Sequence, residues 1–316
     1  MPLEATFAAD SNRGYGFGLS SAAPGLKLTS RTLPVTFNMN GFAKGGTSSL
    51  WFVGANGSTS AATSSDGITW TTITASRGMY YNFAGNPGTS YVSGDGNNIQ
   101  YSSNGTSWTL GSSYWSGSLG FMKYFPAISV YIKKLSGSAM ESGNTTGVNW
   151  SNRPGTSYTA YDGSSNGNVV GWPTYGASYF EYTTTSSWTS INATSSSLPS
   201  TKNWVGTAYD SVNNKFVVFD DNVNLAYSTS GTGSWTQITR PSQSGVSYQM
   251  ASDGGGGAYF LGGYDSYLYS TDATTWVNVP MTGYGSGFYY QGRWDSANSR
   301  FLIMKQNSTQ YFTGTI

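Results

Sequence analysis

Apolar residues in this chain come in short runs, broken at close intervals by turn formers. The stretch from Trp204 to Ile238 shows the pattern: "WVGTAYD" alternates, "SVNN" turns, "KFVVF" is dense in β-branched and aromatic residues, "DDNVN" loops, "LAYST" alternates, "SGTGS" turns and "WTQI" ends the unit. Alternation marks half-buried strands, and three tight connections between four such runs describe an antiparallel meander. The same plan is legible in "VTFNMNGF", "AKGGTSS" and "LWFVG" before Trp70, in "SYQMAS", "DGGG" and "GAYFLG" before Trp276, and in "FYYQGRWD", "SANS" and "RFLIM" after it. The turns are rich in Asn, Asp, Gly and Ser, as hairpins require. No segment repeats its apolar residues every 3.6 positions, so helix is expected to be nearly absent.

The last turn of each unit recurs as a hydroxyl-rich segment ending on tryptophan: "TSSDGITW" at Trp70, "YSSNGTSW" at Trp108, "SGNTTGVNW" at Trp150, "YTTTSSW" at Trp188, "YSTSGTGSW" at Trp235 and "YSTDATTW" at Trp276. These six tryptophans are 38, 42, 38, 47 and 41 residues apart. A period near 40 with four strands per period is the signature of propeller blades. Six turns mark six blades. The remaining C-terminal segment supplies three strands only, while Leu26–Arg31 resembles a fourth strand running into a blade-to-blade link. The expected fold is therefore an all-β, seven-bladed β-propeller of four-stranded antiparallel blades, the last closed by the N-terminal strand. Six blades plus an extension is the alternative. The blades fall roughly at 34–74, 75–112, 113–151, 152–192, 193–239, 240–280, and 281–316 with 25–33. Closure would leave no open sheet edge. Met1–Pro24 lies outside the repeat and reads either as a flexible arm or as an anchor ordered on a partner.

Composition narrows the chemistry. Of 316 residues only 9% are charged and 16% are aromatic; the net charge is +1, and there is neither cysteine nor histidine. The surface must be built largely from Ser, Thr, Asn and backbone. Disulfides, thiolate metal sites, histidine ligands and Ser-His-Asp or Cys-His catalysis are all excluded. The longest basic run is Lys133-Lys134, which is no footprint for nucleic acid. The start "MPLEATFAAD" lacks the basic and apolar regions of a secretory signal, and no apolar stretch has a membrane helix's length. No cofactor or metal is implied.

The turns "SSDGITW" and "STDATTW" resemble the Asp-box, or BNR, repeat of sialidase-type propellers. Ser64, Asp66 and Trp70 match the ends of its pattern, as do Ser270, Asp272 and Trp276; Asn104 replaces the aspartate before Trp108, Ser230 replaces it before Trp235, and the turns at Trp150 and Trp188 are degenerate. The resemblance implies a folding role on the turn between third and fourth strands, facing away from the side that normally holds ligands. It would also imply a grip of three arginines, a tyrosine–glutamate nucleophile pair and an aspartate acid/base. Here the expected Arg-Ile-Pro is missing, and the three glutamates are Glu4, Glu141 and Glu181, the last two in third strands. Arg77, Arg153 and Arg240 precede first strands of three blades and are the candidate carboxylate grip; the bland alternative is that each packs on a neighbouring blade and bonds loop carbonyls.

Two further constellations carry less. Asp220, Asp221, Asn222 and Asn224 share one loop that reads as a hairpin turn rather than a calcium site. Asp162, Asp210, Asp253 and Asp295 fall at first-strand ends and read as turn caps rather than a catalytic pair. Aromatic residues in the links and loops on one face, namely Tyr114, Trp115, Trp172, Tyr175, Trp204, Tyr264 and Tyr284, suit a sugar-binding surface. A composition rich in Gly, Ser, Thr, Asn and Tyr resembles bacteriophage virion proteins. The resulting expectation is a non-enzymatic virion or surface protein. It would be present in multiple copies, held to other virion subunits by Met1–Pro24, with a propeller face meeting a host glycan or a neighbouring subunit. A sialidase-like glycoside hydrolase, or a lyase, acting on surface polysaccharide and a purely structural decoration are the alternatives.

Overall fold

A computed structural model of the chain describes residues 25–37, 42–55, 57–79, 81–94, 98–114, 120–135, 140–153, 159–184, 194–243 and 252–316. The architecture is an all-β propeller of small antiparallel sheets. Three four-stranded meanders come first. One runs through Phe42–Gly45, Leu50–Gly54, Ser58–Ser64 and Thr71–Met79, the next from Tyr81–Asn86 to Thr109–Tyr114, and the third from Gly120–Phe125 to Trp150–Arg153. A seven-stranded sheet follows from Ser164–Ser165 to Thr236–Thr239, and then a meander from Asp253–Gly255 to Val277–Pro280. In the last sheet Tyr290–Asp295, Arg300–Lys305 and Ser308–Thr315 are completed by Lys27–Phe37, whose Lys27 pairs with Thr315 and Arg31 with Tyr311. This closing strand is longer than Leu26–Arg31 and takes in Val35–Phe37, with Phe37 opposite Ser308, so the first meander begins at Phe42 instead of residue 34. Among the described residues there is no α-helix, only single 3-10 turns at Pro126–Ile128 and Thr282–Tyr284.

The seven-stranded sheet has a local cause. Thr194–Asp210 is one continuous strand: Thr194–Asn203 pairs with the strand before it, and Trp204–Asp210 pairs with the strand after. An outermost strand thus runs straight on into an innermost one, where elsewhere a link intervenes.

Each sheet is apolar on both faces, so no sheet can satisfy its side chains alone. Buried residues form clusters that straddle neighbouring sheets: Phe52 and Ala61 with Phe83 and Tyr91, Val92 with Met122 and Tyr131, Phe121 and Ile132 with Val170 and Trp172, and so on round to Leu302 and Tyr311 against Phe42 and Trp51. Polar groups clip the same interfaces. Buried tyrosines of second strands donate to the carbonyl that opens the second strand of the preceding sheet: Tyr91 to Leu50 O at 2.7 Å, Tyr131 to Ser90 O at 3.0 Å and Tyr259 to Lys215 O at 2.9 Å. Burial pushes all three phenols well above their ordinary pKa. At the closing interface Trp70 Nε1 donates to the Tyr311 hydroxyl, which donates to Gly67 O, and the Arg300 guanidinium donates to Asp66 O.

The recurrent turn works as its residue types require. The Asp66 carboxylate accepts N–H groups of Ile68 and Thr69, both at 2.8 Å, and the Ser64 hydroxyl accepts Gly67 N–H at 2.7 Å. Gly67 sits at φ +67°, where a side chain is disfavoured. Asn104 accepts the same pair from Thr106 and Ser107, and Asp272 from Thr274 and Thr275. Trp108, Trp150 and Trp276 donate their indole N–H back to a carbonyl three residues earlier, whereas Trp235 donates to Ser196 Oγ. In the loop at Asp220, that carboxylate accepts the N–H groups of Asn222 and Asn224, as a turn cap does. Trp115, Trp188 and Met1–Pro24 lie outside the described residues.

Replacing Tyr91, Tyr131 or Tyr259 by Phe removes a donor and strands a buried carbonyl, so each variant should lose about 1–2 kcal/mol in urea unfolding. The Asp66 carboxyl is held down to about 2, from 3.8, by the N–H groups of Thr69 and Ile68. Asp272 also lies at about 2, because the N–H groups of Thr275 and Thr274 outweigh the upward push of burial. A depressed folded pKa contributes stability above the unfolded value that is lost as pH falls towards the folded one. The double variant D66N/D272N keeps the acceptor oxygen, as Asn104 does, and should lose less stability than the parent between pH 4 and pH 2 in thermal melts.

Candidate functional site: the central channel

The first strands of the sheets face one another around an axis. Neighbouring ones touch: Phe42–Gly45 with Tyr81–Asn86, the latter with Gly120–Phe125, and Thr194–Asp210 with Asp253–Gly255 and that with Tyr290–Asp295. Gly85 makes the first approach possible, since a Cβ there would stand 2.2 Å from the Lys44 carbonyl oxygen. The channel between them holds the charged residues Lys44, Lys123, Asp253 and Arg293 around an open cavity of about 140 Å³ walled by Trp51, Phe83, Tyr124 and Trp294. It widens into a mouth of about 640 Å³ bounded by Tyr124, Tyr209, Asp253, Gly254–Gly256, Trp294 and Ser296.

The charges are tied unevenly. Lys123 Nζ donates to Gly163 O at 2.7 Å and lies 3.6 Å from Asp162 Oδ1. Asp162 is buried; its Oδ1 accepts Gly163 N–H at 2.8 Å, and its Oδ2 has no hydrogen-bond partner among the described residues. Burial pushes the Asp162 carboxyl up, against the pull of Lys123 and Arg293. Asp253 accepts Gly254 N–H at 3.0 Å and, across the sheet boundary, Trp294 N–H at 3.2 Å. Arg293 Nη1 donates to Ser252 O at 3.3 Å, and Lys44 Nζ stands 5.9 Å from the Trp51 ring centre.

Of the four aspartates read as turn caps, two fit. Asp210 accepts Asn213 N–H and, from the next sheet, Gly257 N–H; Asp295 accepts from Asn298 and pairs with Arg300 at 3.4 Å. Asp253 and Asp162 do not. The segment "DGGG" is not a turn: Asp253–Gly255 is the strand, and Gly256–Gly257 makes the turn at positive φ. Asn166, not Asp162, caps the hairpin after Ser164–Ser165, accepting N–H groups of Asn168 and Val169.

The aromatic face also needs correction. Trp172 and Trp204 are fully buried, at 0% exposure, in cores between sheets, and donate their indole N–H to Glu181 Oε2 and Ser200 O. Both large rings fill buried clusters instead of lying on a surface. Tyr175 packs edge-on against Tyr161, Tyr264 against Tyr289 and Tyr284 against Phe312; all are half-buried. Tyr114 ends a strand of the second meander, and its side chain, like Trp115, is outside the description.

The arginines are placed on separate partners. Arg240 is buried with its guanidinium on the carbonyls of Asp220 and Pro241, Arg153 donates from Nε to Ser142 Oγ, and Arg77 sits half-buried near the end of its strand. Glu141 pairs with Lys133 at 2.9 Å, and Glu181 holds Trp172 with its carboxyl pushed up by burial.

The channel escaped the sequence reading because its charges come from separate blades. One signal was present: Lys123, Asp253 and Arg293 each stand two residues before the end of a first strand. The mouth also opens at the end of the hairpins that join first to second strands. The recurrent turns lie at that same end, where Thr47 N–H of one such hairpin donates to Ser103 O of a recurrent turn.

No family model and no curated protein matches the chain. Solved structures do match in fold. YCF48 from Cyanidioschyzon merolae aligns at 10% identity with a TM-score of 0.66, over 91% of this chain and 98% of its own. YCF48 bound to D1 peptide aligns at 12% identity and TM-score 0.63, covering 92% and 95%. Virginiamycin B lyase from Staphylococcus aureus aligns at 9% identity and TM-score 0.70, covering 92% and 100%. Identities this low establish the propeller architecture and leave activity to be argued from the site.

Lys123 keeps the buried Asp162 tolerable in its charged form. A carboxyl with a raised folded pKa contributes stability below its unfolded value of 3.8 and loses it as pH rises through the folded value. Lys123→Met should therefore destabilise the protein by about 2–3 kcal/mol at pH 7 and by clearly less at pH 4, in chemical unfolding at the two pH values.

Proposed function

We propose that the chain is a non-enzymatic attachment protein, a seven-bladed propeller that docks a neighbouring protein subunit at the mouth of its central channel. Seven clusters of buried side chains support the blade count: six are shared by successive sheets, and the seventh joins the two halves of the seven-stranded sheet, with Thr194–Asp210 serving two blades. The observation that carries the docking reading is the mouth itself: a concave surface of about 640 Å³ set with Tyr124, Tyr209 and Trp294 and floored by glycine backbone. Aromatic rings beside accessible backbone are the usual anchors of protein partners.

The non-enzymatic reading rests on how the carboxylates are spent. Asp253 is tied to two backbone N–H groups, Asp162 to Gly163 and Lys123, and both described glutamates to Lys133 and Trp172. In the related fold of YCF48, a peptide is bound. Composition favours a virion or surface setting, in which the turn-clipped ring resembles Asp-box propellers and Met1–Pro24 anchors the protein among other subunits. A glycan-binding face would rely on Tyr175, Tyr264 and Tyr284, together with Tyr114 and Trp115, whose side chains lie outside the described residues.

A photo-crosslinking residue at Ser296 in the mouth, compared with one at Ser197 on an outermost strand, tests this in the native assembly. A single protein neighbour captured at Ser296 alone, and lost in Trp294→Ala, is expected. Equal capture at both positions would remove the docking reading, and fragments of a cleaved partner or saccharide would make the protein an enzyme.

A further inference from the structure

The cations of the channel are not matched by its carboxylates. Lys123 is engaged by Asp162 and Gly163 O, and Asp253 is spent on backbone N–H groups. Arg293 uses one of its N–H groups, on Ser252 O. Lys44 rests near the Trp51 ring with no hydrogen-bond acceptor among the described residues. Both side chains line the same cavity. An ammonium and a guanidinium there keep most of their donors unspent in a partly dehydrated space, where charge-assisted hydrogen bonds are strongest.

We infer that the cavity between Lys44 and Arg293 is a binding site for a single carboxylate carried on an apolar or aromatic stem. The charge balance selects an anion: Lys44, Lys123 and Arg293 line the cavity against one lining carboxylate, Asp253, and the Asp162 carboxyl beside Lys123 is pushed towards its neutral form by burial. Asp253 in the same lining disfavours a dianionic phosphate relative to a single carboxylate. The walls suit an apolar or aromatic stem, because Trp51, Phe83 and Trp294 present their rings beside Tyr124. The route in is continuous, since Lys123, Tyr124, Asp253 and Trp294 belong to both cavity and mouth. The carboxylate comes either from a free organic acid or from an acidic side chain of a docked segment. Only the second source rests on the docking reading.

Calorimetric titration of the full chain tests the site with sodium benzoate, with neutral benzamide, with inorganic phosphate and with a capped peptide bearing one glutamate. Benzoate should bind, benzamide should not, and phosphate should bind more weakly than benzoate. Lys44→Met and Arg293→Met should each weaken benzoate about tenfold or more, as loss of a charge-assisted contact requires. Lys44→Arg should restore binding, which separates charge from a folding defect, and unchanged thermal melts confirm that the Met variants fold. Competition by the glutamate peptide assigns the site to a docked segment, and binding of benzoate without it assigns a free organic acid. Equal binding of benzamide, tighter binding of phosphate, or benzoate binding that survives both Met substitutions would overturn the assignment. Benzoate binding together with failed crosslinking at Ser296 would retain the site and remove only the docking reading.

Discussion

Everything in this molecule depends on burying both faces of small sheets against one another. A four-stranded meander with aromatic and β-branched residues on each face has no stable existence alone, so each blade needs a neighbour on either side. A linear stack would leave two end faces wet; a ring leaves none. The pairing of Lys27–Phe37 with Ser308–Thr315 brings the first described strand beside the last, so one sheet is built from strands far apart in the sequence.

Apolar packing is tolerant of small slips, and polar clips remove that tolerance. The tyrosines at 91, 131 and 259 each meet a carbonyl at the start of the preceding sheet's second strand, which sets the rotation between blades. At the seam, Trp70, Tyr311 and Arg300 perform the same task with different groups. The recurrent turns tie off the end where these contacts gather, so the tryptophan turn is a folding device first.

Closing a ring of blades creates a channel whether or not it is used. Where first strands come closest a glycine is needed, as at Gly85, so that backbones can approach. Against that background two lysines, an arginine and two aspartates around the axis are costly insertions, and a buried charge needs a purpose or a partner. Asp162 and Lys123 have each other. Lys44 and Arg293 are the pair whose surroundings leave the most hydrogen-bonding capacity open.

How much of this was written in the one-dimensional pattern differs sharply between fold and site. Strand periodicity, the tryptophan spacing, the hydrogen-bonding role of Asp66, Asn104 and Asp272, and the strand contributed by the N-terminal segment are local or repeat properties, so they could be read directly. The fate of Trp172 and Trp204 could not, because a ring at a strand end faces either solvent or a neighbouring blade according to the packing angle. Nor could Asp253 be told from a turn cap, since "DGGG" serves equally as strand or turn until pairing with Ala258–Phe260 decides. The channel was beyond local reading altogether. Its charges lie on different blades, far apart along the chain, and only ring closure brings Lys44 and Arg293 to one cavity.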